Sequence, residues 1–153
     1  MARELSAARE SGRDIALTPP GEDVLAHALR VMDRPFAWGH ADCCTAACDV
    51  FEALFGIDPM AELRGRYATA AGAMRIIAGE GGFAALAERL ASTAGLAPGQ
   101  GGGTAGALGL SAPGTATGPQ GRALLVCIAP GAWAAKSEGG MSVLPGVERH
   151  WHA

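Results

Sequence analysis

Hydrophobic and polar positions divide the chain into a helical first half and a strand-rich second half. From Glu22 onward Val24, Leu25, Ala28, Leu29 and Met32 recur at helical spacing, and the run stops at Asp33-Arg34-Pro35, which predicts a first amphipathic helix. Asp42 offers an N-cap for a second helix that should end near Gly56. In that helix Cys44, Cys48, Phe51 and Phe55 fall on nearly one face, with Ala47 and Leu54 beside them, so this face is expected to meet the core. Cys43 falls in its first turn. Ile57-Asp58-Pro59 then breaks the chain, and two short Ala-rich helices are expected near 69–78 and 83–93, punctuated by Gly79, Gly81-Gly82 and Gly95.

The pattern changes after Leu96. Residues 97–121 are dominated by Gly, Ala, Thr and Pro and read as a flexible segment, with a short strand expected within 107–110. The continuous apolar run over 122–129 reads as a buried strand, followed by strands over 132–136, 141–144 and 147–151 joined by Gly or Pro turns. Helices first and strands after give an α+β class, a helical N-terminal half followed by a small antiparallel sheet. Residues 1–21 are polar, carry Pro19-Pro20-Gly21 and show no apolar stripe, so they read as an extended N-terminal arm that orders against something else. The remainder, 22–153, is expected to form one domain.

Charge narrows the partners. The net charge is −3, and the 12 Lys and Arg residues are scattered without a basic stripe, so nucleic acid is not an expected partner. No apolar run approaches membrane-spanning length and the start resembles no secretory signal, so the protein is expected to be made in the cytoplasm and not to insert in a membrane. Four cysteines, Cys43, Cys44, Cys48 and Cys127, are too few for a disulfide framework and read as thiols.

Candidate chemistry centres on Cys43. A cysteine in the first turn of a helix meets unpaired backbone N–H groups and the positive end of the helix dipole, which favour the thiolate a nucleophile needs. The alternative is a small buried apolar residue, with Asp42 acting only as helix cap. His40 is the base candidate nearest in sequence, although a solvated loop histidine is the competing reading. His150 and His152 alternate with Trp151 and should share one strand face. Cys44 and Cys48, one helical turn apart, could point the same way toward a metal, but they fit an apolar face and lack knuckle spacing, so no metal and no cofactor is expected. Arg64, Arg66 and Tyr67 form a run suited either to docking a partner or to local ion pairs with Asp58 or Glu62.

The segment Phe36-Ala37-Trp38-Gly39-x-x-Asp42-Cys43, followed by a helix, resembles the nucleophile segment of NlpC-type, papain-like cysteine peptidases. The continuation through Gly56-Ile57-Asp58-Pro59, Leu63-Arg64-Gly65-Arg66-Tyr67 and Gly81-Gly82 is similar to a divergent branch encoded by tailed phages, prophages and related tail-encoding clusters. The resemblance implies a papain-like fold, Cys43 as nucleophile and Asp42 as helix cap or orienting residue. It further implies a place near the distal end of a tail, with other tail proteins and peptidoglycan as partners. In active relatives a histidine near the start of a following strand serves as base. Here that strand reads Arg122-Ala123-Leu124-Leu125-Val126-Cys127-Ile128 and carries none. The expectation is therefore a structural tail-tip component with a degenerate site. An active peptidoglycan hydrolase using Cys43 and a Cys-ligated metal-binding assembly factor stand as alternatives.

Overall fold

A computed structural model describes residues 18–153. Most of the arm expected over 1–21 lies outside the described residues, and helix α1 already begins at Gly21, with Pro20 as its N-cap. The elements of α1 (Gly21–Met32) follow from its stripe: Val24, Ala28 and Met32, four residues apart, are fully buried, and Glu22 and Asp23 occupy the first turn, where a helix favours negative charge. Helix α2 (Cys43–Phe55) starts at a capping box and stops at Gly56, whose φ of 71° is left-handed. Helices α3 (Ala70–Glu80) and α4 (Phe83–Thr93) are joined by Gly81-Gly82 and contact each other. The Thr69 side chain caps α3 by accepting from the Gly72 N–H.

The second half contributes β1 (Ala97–Pro98), β2 (Leu108–Leu110), β3 (Leu124–Ala129), β4 (Ala132–Ser137), β5 (Gly140–Leu144) and β6 (Arg149–His152). They build one six-stranded antiparallel sheet in the order β1-β6-β2-β3-β4-β5. The chain thus carries four described helices on a mostly consecutive sheet, and the last strand returns to pair beside β2. Helices α1 and α2 lie against β3 and β4, and that contact forms the centre of the core. Both faces of β3 are covered, which is why Leu124, Leu125, Val126 and Cys127 are all buried without alternation.

Two expectations need correction. On α2 the expected Ala47, Cys48 and Phe51 are buried, but the stripe also takes in Cys43, Ala46 and Val50, while Cys44, Leu54 and Phe55 are half-buried and pack against the core. Segment 97–121 is also more structured than its composition implied. Besides the strand expected within 107–110, which is the fully buried β2, it supplies β1, and two of its glycines lie against Trp133: a Cβ on Gly103 or Gly109 would sit 2.5 Å or 2.7 Å from that ring. Glycine here allows close approach of an indole to backbone.

Candidate functional site

The loop before α2 is wound tightly. Ala37 and Ala41 exchange backbone hydrogen bonds, and Phe36 and Trp38 stack edge to face with ring centroids 5.0 Å apart. Gly39 has a φ of 84°, and a Cβ there would lie 2.2 Å from the Tyr67 carbonyl oxygen, so both the turn and the crossing chain require glycine. Its N–H donates to Asp42 Oδ2 at 2.8 Å.

Asp42 is the centre of this region, and it is 1% exposed. Its Oδ1 accepts from the N–H groups of Cys44 and Thr45, both at 2.9 Å, while its own N–H donates to Thr45 Oγ1. Its Oδ2 accepts from Gly39 and from the Tyr67 hydroxyl, the latter at 2.6 Å. A buried carboxylate is tolerated because five donors surround it, the fifth being the Thr45 hydroxyl at 3.1 Å from Oδ1. The Tyr67 phenol is correspondingly held above its ordinary range, first by burial and then by the charges of Cys44 and Asp42.

Cys43 follows directly and is 4% exposed. Its sulfur has the Cys44 sulfur as hydrogen-bond partner, 3.9 Å away. Over it runs a strap, residues 112–121, ending in a 3-10 turn (Pro119–Gly121). A Cβ on Gly118 would lie 3.1 Å from the Cys43 sulfur and 2.1 Å from the Arg122 carbonyl oxygen, so the strap touches the thiol. Cys43 and Pro119 both line two spaces, an apolar pocket of about 20 Å³ toward Met60, Tyr67 and Ile77 and an open cleft of about 380 Å³ toward Phe36, Lys136 and Glu138.

Lys136, the chain's single lysine, is buried on β4, where Nζ donates to the carbonyls of Met32 and Arg34 at the end of α1. Burial, then the Arg34 charge, hold its pKa below the ordinary lysine value. The other thiols are pushed the opposite way from lysine: Cys44 upward by its bond to Cys43 and by burial, Cys48 by burial, and Cys127 by burial to about 11.

No histidine joins Cys43 among the described residues. His40 is exposed, and its backbone N–H serves the Ala37 turn. His27 sits beside Arg30 on α1. His150 and His152 share a strand face as expected, but that face lines a different cavity, about 610 Å³, beneath the 98–107 loop. There His150 Nε2 donates to the Gly101 carbonyl, and Nδ1 is buried under Gly99 without a partner among the described residues. Of the docking run, Arg64 pairs with Asp49 and Asp58, Tyr67 points to Asp42, and only Arg66 is exposed. Glu62, the other ion-pair candidate, pairs with Arg89 instead. Sequence reasoning missed Lys136 and the strap. Lys136 had one available signal, a lone lysine in an apolar strand.

The site and sheet together define an α+β domain with a thiol at a helix N-terminus, buried beneath a strap and separated from its histidines. Over residues 21–153 the chain matches the family described as a domain of unknown function, DUF6950, and it belongs to that family. No curated protein matches it, and no solved structure does.

Proposed function

We propose that this protein is a non-catalytic structural component of a phage or phage-like tail, near its distal end, built on an NlpC-type, papain-like peptidase fold. The observation that carries the non-catalytic reading is the surroundings of Cys43. Its sulfur bonds the Cys44 sulfur and no histidine reaches it among the described residues. Amide hydrolysis needs an acid to protonate the leaving nitrogen, and a positioned acid or base contributes roughly a hundredfold to ten-thousandfold. Asp42 cannot serve, because both its oxygens are engaged in holding the helix and loop. The helix-borne cysteine and its antiparallel sheet support the fold assignment, and the sequence resemblance supports the tail.

Two measurements test the two halves. Purified cell-wall sacculi incubated with wild type and Cys43→Ala should release no more fragments than buffer; wild-type hydrolysis that disappears in Cys43→Ala would replace this reading with the hydrolase. Mass spectrometry of purified particles from a producing strain should find the chain at fixed stoichiometry with tail proteins, and its absence from particles would remove the tail role.

A further inference from the structure

We propose that Gln120 is a positioning residue that latches the 112–121 strap closed over Cys43, making Cys43 a masked thiol whose exposure is set by that latch. Two independent features meet at this position. Gln120 has a φ of 58°, the single positive φ among described non-glycine residues, and a side chain other than glycine is disfavoured there unless it makes up the difference elsewhere. Its side chain leaves the strap to accept, through Oε1, from the Phe83 N–H at 3.2 Å. That N–H belongs to the first turn of α4, whose N-cap is Gly82 and which has no cap from its own chain neighbours. Gln120 therefore supplies a long-range cap, and the strap acquires an anchor on the helical half.

The closed position is also the one that shields sulfur. Gly118 lies against the Cys43 thiol and the Arg122 carbonyl, with no room for a Cβ, and Gly121 is equally tight on the Gly114 backbone. Pro119 stands between the two spaces that flank Cys43. The 380 Å³ cleft and the small apolar pocket share Trp38, Cys43 and Pro119 as lining, so lifting the strap removes a wall common to both beside the thiol. This inference concerns access to the sulfur, not its chemistry. It therefore stands or falls apart from the non-catalytic reading, which sacculus hydrolysis tests.

The experiment is alkylation of the full chain by iodoacetamide under native conditions, followed by peptide-resolved mass spectrometry at each cysteine. Gln120→Ala removes the acceptor, whereas Gln120→Glu keeps an oxygen at the same reach and places a negative charge at a helix N-terminus. Loss of one hydrogen bond should raise the Cys43 labelling rate about two- to tenfold in Gln120→Ala. Gln120→Glu should label at the wild-type rate or more slowly, and Cys48 and Cys127 should not change in either variant. Equal Cys43 rates in wild type and Gln120→Ala would overturn the latch. So would a rise at Cys43 that is matched by Cys48 and Cys127, because that pattern reports general loosening.

Discussion

At the scale of single residues, Asp42 carries more of this protein's stability than Cys43. It caps two N–H groups of α2 and accepts from Gly39 and Tyr67 while almost fully buried. Asp42→Ala loses the cap, worth about 0.5–2 kcal/mol, and leaves two further donors without their acceptor, each about 1–3 kcal/mol. A total loss of roughly 3 kcal/mol or more in urea unfolding is expected, with Tyr67→Phe losing about 1–3 kcal/mol through one charge-assisted bond. Equal effects of the two variants would show that the Tyr67 bond alone matters. Tyr67 is the chain's only tyrosine, so tyrosinate absorbance near 295 nm reports it without interference from another phenol. Its folded pKa is raised, so its contribution is complete below the ordinary value of 10.0 and is lost as pH climbs above it. Cys44, Cys48 and Cys127, also raised, add losses beginning near their ordinary 9.0, while Lys136, lowered, partly offsets them below 10.5. Tyrosinate should therefore appear together with unfolding, not before it. Ionisation near pH 10 in a chain with native circular dichroism would contradict the buried Tyr67–Asp42 bond.

At the scale of elements, the helices were legible because their punctuation is local. Asp33-Arg34-Pro35, Asp42, Gly56, Thr69 and Gly81-Gly82 sit at or next to the boundaries the structure shows, and α4 occupies the expected span. The strands over 124–144 were legible from continuous apolar runs broken by Pro130-Gly131 and Glu138-Gly139. What the sequence hid is non-local. Strand β1 is two residues long and exists because β6 pairs with it, and no periodicity can register in two residues. Gly103 and Gly109 looked like flexibility because Trp133, which they accommodate, lies 24 or more residues further along. Gly103→Ala tests that account. It adds a methyl 2.5 Å from the indole at a φ of 85°, and overpacking with left-handed strain should lower stability by about 2–4 kcal/mol. A change below about 0.5 kcal/mol in the denaturant midpoint would return this segment to a loose cover.

At the scale of the whole molecule, helices α1 and α2 and the sheet make one core, and the two regions richest in chemistry stand apart from each other. Cys43 sits under the strap beside Lys136, while the paired histidines belong to the cavity under the 98–107 loop. The sequence exposed the Asp42-Cys43 pair and the absence of histidine from the β3 run, because both are written in contiguous residues. It did not reveal that Tyr67 closes the Asp42 network or that residues 112–121 cover the sulfur, since those depend on chain crossings 25 and 75 residues away. The Asp42 network has a consequence for how such domains change over generations. A substitution at Gly39, Asp42 or Tyr67 is opposed through folding whether or not any thiol reacts. Selection for a folded chain is thus enough by itself to preserve most of a nucleophile-like signature, with or without chemistry at the thiol. An exposed residue with no such second duty, His40 for instance, has no comparable constraint from folding. The positions informative about chemistry are then those the fold does not need.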